Sequence, residues 1–457
     1  MYKRQRIEQA TLLLGDVGLI VLATVLTFIL RFGDFSDILH SYTGSTFTTV
    51  VFYLLSFYIF EMYTSPGNGN KILYLKRSIL SVVVAGGLAI MIFYFYPDWK
   101  YGRGLFFIQM SLIWLFCSLW RICYWSVLPK TEGRKKILII GAGKAGHFYY
   151  DWLSEIRSQY EIIGFLDDNP KKTGKKIGNG KVLGTTDMLF DIGRETGVRD
   201  IRLAITHELR PRLIRKLLHA KLLGWNIMDM TNEYECNSGR VPVRHIHDEW
   251  LVYVEGFYLN KSKLIQNIKQ IADIVLSSTL FVVLLPVLLL LSLMIKLDSE
   301  GPVIYRQKRL GKDGVPFTLY KFRSMKQDAE TNGVMWTQNQ DERITGVGKW
   351  IRITRLDEIP QLLNVLQGKM SIVGPRPERP EFVSELEEKI PYYFIRQSVK
   401  PGITGWAQIN YPYGSTVDEA LNKLEYDLYY IKNMSLFLDM RIILRTISVI
   451  LFGKGAR

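Results

Sequence analysis

Cysteine is scarce in this 457-residue chain, which contains only three, and two of them, Cys117 and Cys123, fall within one apolar run. Such a chain has no disulfide framework, which agrees with polar regions that lie in the reducing cytoplasm. The first apolar run is not followed by a small-residue cleavage site, so the sequence does not predict a secretory signal peptide.

Acidic residues are few relative to basic ones: the chain has 43 Asp and Glu against 58 Lys and Arg, and its formal net charge is +15. At the same time, 48% of its residues are hydrophobic. A chain that is both apolar and basic is typical of a membrane protein whose positive charge faces the cytoplasm. We therefore expect the lipid bilayer, and not a nucleic acid, to be the partner of this charge.

Four apolar runs in the first 130 residues approach or exceed the ~18 residues that a membrane-spanning helix requires. The runs are residues 11–30, 47–60, 79–96 and 105–127. Basic residues precede the first run, lie between the second and third, and follow the fourth, which predicts four spans with both ends in the cytoplasm. Lys100 and Arg103, in the predicted third loop, are a mild exception. We expect residues 1–130 to form a transmembrane helical bundle.

A glycine motif follows in "KKILIIGAGKAGHFYYDWL", where a β-branched run leads into Gly141, Gly143 and Gly146 and then into a helical pattern. A second apolar run ends on Asp167 and Asp168. This is the outline of a dinucleotide-binding strand–turn–helix–strand unit, and it predicts an α/β Rossmann-like domain of the CoA- or NAD-binding kind at residues 131–255. The glycines could hold a nucleotide, or the domain could be structural; the motif alone leaves both open.

The apolar run at residues 271–296 differs from the first four because Pro286 interrupts it and basic residues flank both of its ends. Basic residues at both ends predict a re-entrant helix that enters the membrane, bends at the proline and returns to the same face. An ordinary kinked span is the alternative.

A basic strand is predicted after this helix, in "PFTLYKFRSM". Alternation along a strand puts Lys321 and Arg323 on one side and Tyr320 and Phe322 on the other. Two cations on one face next to a membrane suit a phosphate-bearing ligand. Contact with anionic lipid head groups is the alternative interpretation.

Two adjacent carboxylates, Asp357 and Glu358, begin a segment with helical spacing, where backbone N–H groups favour anions. Thr354 and Asp357 resemble a capping box, which explains one acid but not the second. Adjacent acids can take separate tasks, one as a nucleophile towards phosphorus and the other as a ligand of Mg²⁺. The pair therefore predicts a phosphoryl-transfer site.

Two loops rich in proline and glycine and an aromatic tail supply further candidates. "SIVGPRPERPEF" presents Arg376 and Arg379, and "KPGITGWAQIN" presents Trp406, which could stack on a base or anchor an interface. Asp427 lies among tyrosines at the head of an amphipathic tail suited to the membrane surface. We expect all four residues near the bound substrate.

At "YKFRSM", "RLDEIPQLLNVLQGKMSIVGPRPERP" and "KPGITGWAQIN" the chain resembles the bacterial sugar transferases, which are polyprenyl-phosphate hexose-1-phosphate transferases. The resemblance covers roughly residues 261–457 without a large gap. The whole layout resembles the large monotopic phosphoglycosyl transferases, in the branch associated with exopolysaccharide. It implies three parts: a membrane α-helical bundle, an α/β Rossmann-like domain, and an α+β phosphoglycosyl transferase domain with a re-entrant membrane helix.

The resemblance also implies a reaction at the cytoplasmic face of the bacterial inner membrane. A UDP-hexose would give its sugar-1-phosphate to undecaprenyl phosphate and release UMP, the initiating step of exopolysaccharide or O-antigen assembly. Asp357 would be the nucleophile and Glu358 the Mg²⁺ ligand. The family places further active-site residues at Lys321, Arg323, Arg376 and Asp427, although Asp427 could instead orient an arginine.

Other properties stay open at this point. The family often has a small residue before the helix-breaking proline, where this chain has Leu285. A homodimer is conceivable by analogy with the family, whereas the sugar, the ligand of the Rossmann-like domain and the role of the four spans are not determined by the sequence.

Two other functions are alternatives to this reaction. A membrane-bound nucleotide-sugar dehydratase or epimerase would use the Gly141 domain, but the Tyr-x-x-x-Lys pair that such enzymes need occurs only at Tyr96 and Lys100, outside that domain. A non-catalytic membrane scaffold would not need the paired acids and their basic neighbours.

Overall fold

The structure is a computed structural model that describes most of the chain in two compact units, Met1–Glu132 and Gly133–Arg457. The described residues are 2–32, 43–63, 71–99, 102–127, 135–155, 160–246, 248–254, 256–257, 263–326, 343–412 and 416–451. Each unit is described by itself.

The first unit consists of apolar helices. They are α1 (Tyr2–Phe32), α2 (Thr43–Ile59), α3 (Lys71–Phe95) and α4 (Arg103–Val127). Three of them, α1, α3 and α4, contain stretches long and apolar enough to cross a membrane. The second predicted span is shorter: α2 has 17 residues, which is roughly 25 Å of helix against a hydrocarbon core of about 30 Å.

An ion pair lies inside this bundle. The Arg121 guanidinium of α4 donates to the Asp16 carboxylate of α1 at 2.6 Å, and both side chains are at most 1% exposed. Beside it, the Gln109 amide donates to the Thr24 hydroxyl at 2.8 Å, which is a second polar link between the same two helices. Because an unpaired charge in such a setting is strongly unfavourable, the pair fixes the rotation of α1 against α4.

The second unit begins with a six-stranded sheet in the order β3–β4–β2–β1–β5–β6. The strands are β1 (Lys135–Ile140), β2 (Tyr160–Leu166), β3 (Lys176–Ile177), β4 (Gly180–Gly184), β5 (Asp200–Leu203) and β6 (Asn226–Asp229). All neighbouring strands are parallel except β3 and β4. The strand order reverses at β1, so the loops after β1 and β5 diverge there and leave a crevice.

Helices cover both faces of this sheet. They are α5 (Lys144–Glu155), α6 (Leu189–Thr196), α7 (Pro211–Leu222) and α8 (Met230–Ser238), and the short α9 (Asp248–Tyr253) follows them in the chain. Along β1, Ile137 and Ile139 belong to one buried cluster, and Leu138 and Ile140 belong to another. Both faces of the strand are therefore buried, as its unbroken apolar run indicates.

The rest of the second unit is built around one long helix and a hairpin. Its helices are α10 (Lys263–Asp298), α11 (Gly346–Ile353), α12 (Leu362–Leu366), α13 (Pro380–Lys389), α14 (Trp406–Asn410), α15 (Val417–Asn433) and α16 (Leu436–Leu451). Its strands are β7 (Ile304–Leu310), β8 (Pro316–Phe322), β9 (Ser371–Val373) and β10 (Gly402–Thr404). Strands β7 and β8 form an antiparallel hairpin, whereas β9 and β10 are parallel. The boundary predicted between residues 255 and 261 lies largely outside the described residues.

Helix α10 is longer than the predicted residues 271–296 and is one helix with Pro286 inside it. Near its start, Lys269 donates to the Asp439 carboxylate at 2.7 Å. At its other end, Arg323 donates to the backbone carbonyl of Ser299 at 2.6 Å. Both ends thus contact the same unit, while large apolar side chains on either side of the proline, such as Val283 and Leu289, are exposed. The bend at Pro286 stays a prediction.

Removal of one partner from the buried pair in the first unit tests its role. We expect Arg121→Met to lower the free energy of unfolding by about 3–5 kcal/mol, because Asp16 is left buried without its cation. The double variant Asp16→Leu/Arg121→Met should recover most of that loss, since no charge is then left unpaired. Chemical unfolding in detergent micelles measures both, with the exposed Lys76→Ala as control. A double variant no more stable than the single one would contradict this role of the pair.

Candidate active site

The acid pair lies in a 3₁₀ turn, Leu356–Gln361, and not in the first turn of an α-helix as expected; α12 begins only at Leu362. Arg355, just before the turn, has a positive φ of 56°, and Pro360 lacks an N–H, so the chain is tightly bent here. The Thr354 hydroxyl donates backwards to the carbonyl of Trp350 at 2.9 Å. Thr354 therefore ends α11 and does not form a capping box with Asp357.

Asn364 fixes this turn against the hairpin. Its side-chain amide donates to the carbonyl of Thr318 at 2.7 Å, and its side-chain oxygen accepts from the N–H of Tyr320 at 3.1 Å. The fully buried amide therefore acts as an extra partner for β8. This contact brings the acid pair next to Lys321, which follows Tyr320 on the strand.

Glu358 is the centre of a buried charge cluster and is 8% exposed. Its carboxylate accepts from Lys321 Nζ at 3.0 Å and from Arg376 Nη2 at 2.7 Å. Burial alone raises the pKa of Glu358, but the opposing charges of Arg376 and Lys321 outweigh it and hold this pKa well below its usual range. Glu358 is therefore ionised and tightly held at neutral pH.

Asp357 has a different environment although it is the adjacent residue. It is partly buried, and within the described part of the chain no side chain donates a hydrogen bond to its carboxylate. Burial raises the pKa of Asp357, and the neighbouring Glu358 raises it further, against the lowering effect of Lys321 and Arg376. One acid is thus engaged by cations and the other is left available for chemistry.

A second charged pair, Asp427 and Arg396, supports the backbone of Arg376. Asp427, which is 1% exposed, accepts from Arg396 Nε at 2.7 Å. Arg396 also donates from Nη2 to the backbone carbonyl of Arg376 at 3.1 Å, and from Nη1 to the Tyr393 hydroxyl. Asp427 therefore orients an arginine, the second of the two roles considered for it, and supports the loop that presents Arg376.

Arg323 does not reach the acid pair, contrary to the expected alternation with Lys321. Strand β8 ends at Phe322, so the strand geometry that would place both cations on one side does not extend to Arg323. Its guanidinium instead donates to the carbonyls of Ile295 and Ser299, at 3.3 and 2.6 Å, at the end of α10. Its observed contact is with the membrane helix.

The observed contacts of Trp406 are not with the carboxylates. The Trp406 indole is buried, stacks on Tyr429 with ring centroids 5.7 Å apart, and donates to the carbonyl of Gly239 at 2.8 Å. It thus anchors the contact with the sheet domain, and this position favours the interface role over base stacking. Arg379 immediately precedes α13.

Lys423 is a basic residue near the site that the sequence analysis missed. It lies one helical turn before Asp427 on α15, near Glu378, Arg396 and Arg376, and burial lowers its pKa. The spacing of four residues from Asp427 was the available signal, because such residues share a helix face. Without the fold, nothing distinguished that face from the rest of α15.

Metal binding can be examined from the donor set. The described residues contain no group of three or more His, Cys, Asp and Glu side chains that could hold a metal ion. Mg²⁺, however, commonly takes one or two carboxylates and completes its shell with substrate phosphates and water. The adjacent oxygens of Asp357 and Glu358 fit that requirement.

The three glycines of the predicted nucleotide-binding motif, Gly141, Gly143 and Gly146, lie in the sheet domain, and each has a different amount of space for a side chain. Gly141 has a φ of 110°, and a Cβ there would lie 2.4 Å from the carbonyl oxygen of Ala204. A Cβ on Gly146 would lie 2.1 Å from the carbonyl oxygen of Gly141, whereas one on Gly143 would meet nothing closer than Lys172 Nζ at 4.0 Å. The first and third glycines are needed for packing, and the second borders open space.

Comparison with known proteins finds two matching family models. The model of the bacterial sugar transferases matches residues 264–453, and the model of a CoA-binding domain matches residues 58–220. The first match contains the acid pair, Lys321 and Arg376, and the second contains the three glycines.

Curated relatives agree with the first model. The chain is 39% identical over 310 residues to the UDP-glucose:undecaprenyl-phosphate glucose-1-phosphate transferase of Escherichia coli (strain K12), covering 65% of this chain and 63% of that protein. It is 40% identical to the protein of the same name from Caulobacter vibrioides, covering 41% and 71%. It is 44% identical to the exopolysaccharide production protein PSS of Rhizobium leguminosarum bv. phaseoli, covering 41% and 98%. Five relatives, including that of E. coli, are matched over only 36% to 63% of their length.

The unequal environments of the two acids predict opposite effects on stability. At neutral pH, Glu358→Gln should lower the melting temperature, because a carboxylate with a lowered pKa stabilises the fold when ionised; the loss of two charge-assisted hydrogen bonds corresponds to about 2 kcal/mol. Asp357→Asn should raise the melting temperature, because a carboxyl group with a raised pKa disfavours the fold when ionised.

Both differences should shrink on acidification. The Glu358→Gln deficit should be complete above the ordinary glutamate pKa of 4.5 and decrease below it, and the Asp357→Asn gain should fade as the pH drops towards the ordinary aspartate value of 3.8. Melting curves of the three proteins between pH 3.5 and 7 test this. Changes of the same sign in both variants would show that the two environments are not opposed.

Proposed function

Because the chain belongs to the bacterial sugar transferase family, we propose that it transfers a hexose-1-phosphate from a UDP-hexose to undecaprenyl phosphate and releases UMP. The observation that carries this proposal is an available carboxylate, Asp357, next to one that is held between two cations, Glu358. The reaction would initiate the assembly of an exopolysaccharide or O-antigen. The paired acids and their cations favour it over a scaffold or a dehydratase.

The proposed chemistry has two displacements at the same phosphorus atom. A carboxylate oxygen of Asp357 attacks the β-phosphorus of the UDP-hexose, and the bond from that phosphorus to the bridging oxygen breaks, so that UMP leaves with the electron pair. A phosphate oxygen of the lipid then attacks the aspartyl-linked phosphorus. The bond to the Asp357 oxygen breaks, which regenerates the carboxylate and gives undecaprenyl-diphosphate-hexose.

The cations around the acid pair stabilise the charge that develops in both steps. Lys321 and Arg376 already lie within 3.0 Å of Glu358, so they need little reorganisation to meet a diphosphate. Asp427 and Arg396 act as positioning residues for Arg376. Arg379, on the same loop, is a proposed substrate contact.

Glu358, with Asp357 beside it, would hold Mg²⁺ together with the phosphates of the donor. When bound, this ion neutralises charge on the diphosphate. Lys321 and Arg376, which bond to Glu358 at 3.0 and 2.7 Å, offset the cost of burying its carboxylate.

The proposed site lies at the cytoplasmic face of the bacterial inner membrane, with α10 entering the bilayer, bending at Pro286 and returning. Two observations support this topology: both ends of α10 contact the same unit, and its apolar middle is exposed. A long lipid could then present its phosphate to Asp357 without leaving the bilayer.

We also propose that the sheet domain binds a nucleotide, as domains with the Rossmann strand order commonly do, and that the nucleotide phosphates lie next to Gly143. A homodimer stays a prediction.

Release of UMP tests the proposed reaction directly. We expect purified protein in detergent, with Mg²⁺ and undecaprenyl phosphate, to release UMP from one member of a panel of UDP-hexoses. Asp357→Asn should lower the rate by about 1000-fold or more, because the amide is a poor nucleophile. Asp191→Asn, an exposed acid on α6, is the matched control and should keep the parental rate. An Asp357→Asn variant as active as the parent would refute the assignment of the nucleophile.

A covalent intermediate makes the first step independent of the lipid. With the UDP-hexose alone, we expect a burst of at most one UMP per chain and a mass increase of one hexose-phosphate group on the peptide that contains Asp357. Mass spectrometry of the quenched protein measures this gain. UMP release that starts only when the lipid is added would favour direct transfer between the two substrates.

A further inference from the structure

A cavity of about 1320 Å³ lies in the sheet domain, far along the chain from the acid pair. It opens at the carboxyl ends of β1 and β5, where the strand order reverses. One wall is the glycine loop and the start of α5, and another is the segment after β5 up to Arg210. Arg244, His245 and Pro391 close a third side. The volume exceeds that of most small-molecule pockets and suits a ligand of nucleotide size or larger.

The glycine-loop end of this cavity suits phosphate. Gly143 leaves open space where a side chain would stand, and the first N–H groups of the 12-residue α5 have no partner within the helix. Lys144, Lys172 and Arg210 line the same cavity, together with four acids, Asp151, Asp167, Asp168 and Glu208, and Asp168 lies 3.8 Å from Arg210. The nearby carboxylate of Asp167 does not repel an anion with its full charge, because it accepts from Lys172 at 2.7 Å and from the N–H of Ala142 at 2.9 Å.

The wall formed by Phe148 connects the cavity to the transferase region. The Phe148 ring contacts the rings of His245 and Tyr234, with centroids 4.4 and 5.2 Å apart. The Tyr234 hydroxyl donates to the Glu425 carboxylate on α15 at 3.2 Å. Arg244, in the cavity wall, bonds to Asp418 in the first turn of the same helix. The cavity therefore contacts α15 through two independent side-chain links.

Helix α15 also supports the candidate active site. Glu425 is separated by only one residue from Asp427, which bonds to Arg396, and Arg396 holds the backbone carbonyl of Arg376. A shift of α15 of a few tenths of an ångström would change the support of Arg376, because these groups are buried and closely packed. The structure thus contains a continuous set of contacts from Phe148 to Arg376.

We propose that this cavity is an effector site for a nucleoside diphosphate group, and that its occupancy changes the transferase rate through α15. The binding part of this inference stands on the cavity alone, whereas the rate part rests on the proposed function. Free UDP is a nucleoside diphosphate, and NADH and CoA each contain an ADP moiety. These three compounds are therefore the probes that show which of them supplies the bound group.

Calorimetric titration of the full chain in nanodiscs tests binding without any use of activity. We expect at least one of UDP, NADH and CoA to bind, with the same affinity in Asp357→Asn, since the site is not the transferase centre. Gly143→Leu should weaken that binding at least 10-fold, because its side chain extends into the cavity from an unstrained position. Lys171→Ala, a neighbouring surface lysine outside the cavity, should leave it unchanged.

Two results would overturn the site. The first is that the parent protein binds none of the probes, which would mean that the domain is structural and that its glycine turn no longer holds a ligand. The other is binding that survives Gly143→Leu unchanged, which for UDP would mean binding at the transferase centre. Melting curves confirm that Gly143→Leu is folded.

The coupling between the cavity and the candidate active site is tested by the effect of the probe on the rate of UMP release. A saturating probe should change the rate of UMP release about 5-fold or more in the parent and leave it unchanged in Gly143→Leu. Tyr234→Phe keeps the ring contact with Phe148 but removes the hydroxyl, so it should bind the probe within 2-fold of the parent and lose most of the rate effect. Equal rate effects in Tyr234→Phe and parent would refute this route.

Hydrogen exchange separates failure of this inference from failure of the proposed function. The probe should slow amide exchange in α15 and in residues 393–398 even if no UDP-hexose is a substrate. Slowed exchange without UMP release would leave the effector site standing and refute the reaction. UMP release, with amide exchange and rate both unchanged by the probe, would support the reaction and refute the effector site.

Discussion

The buried carboxylate of Glu358, held between Lys321 and Arg376, is the interaction on which the second unit depends. It joins three segments that are distant in sequence: the 3₁₀ turn Leu356–Gln361, strand β8 and the loop after β9. A carboxylate buried to this degree is tolerated only with its cations in place, and the two cations are themselves partly buried at a cost that the carboxylate offsets. The geometry of the site is therefore also a condition of the fold.

Adjacent residues obtain opposite properties from this arrangement. In a 3₁₀ turn, two consecutive side chains point in directions about 120° apart. Lys321 and Arg376 bond to Glu358, whereas they act on Asp357 only through their charge. Glu358 points into the cluster and stays ionised, whereas Asp357 lies at its edge with its charge only partly compensated. An α-helical turn would separate them by a similar angle, but Pro360 and the bend at Arg355 favour the tighter form. The pairing of acids in the sequence is thus meaningful only together with the turn that separates them.

The sequence predicted the chemistry of the site better than its surroundings. Asp357, Glu358, Lys321 and Arg376 were identifiable because each lies in a short segment whose residue types already suit phosphate transfer, and the structure brings them together. Arg323 was placed by strand alternation, and this rule failed because β8 ends one residue too early. For Trp406 the sequence left base stacking and an interface role open, and only the tertiary contact, in which Gly239 accepts the indole N–H, favours the second. Arg396 and Lys423 were invisible because their significance lies in contacts 20 to 50 residues away.

Helix α15 contacts both the candidate active site and the sheet domain. One relative is matched over 98% of its length by 195 residues of this chain, so it has no room for a counterpart of every part described above. The support of Arg376 through Asp427 and Arg396 needs only one face of α15. Two further side-chain contacts, from Glu425 to Tyr234 and from Lys432 to Glu235 at 2.5 Å, lead to the sheet domain. Charged groups buried at such a contact stabilise little beyond an apolar contact of equal size, and they restrict the relative position of the two parts. Because α15 supports the candidate active site and is also bonded to the sheet domain, it is the element through which the proposed effector site would act.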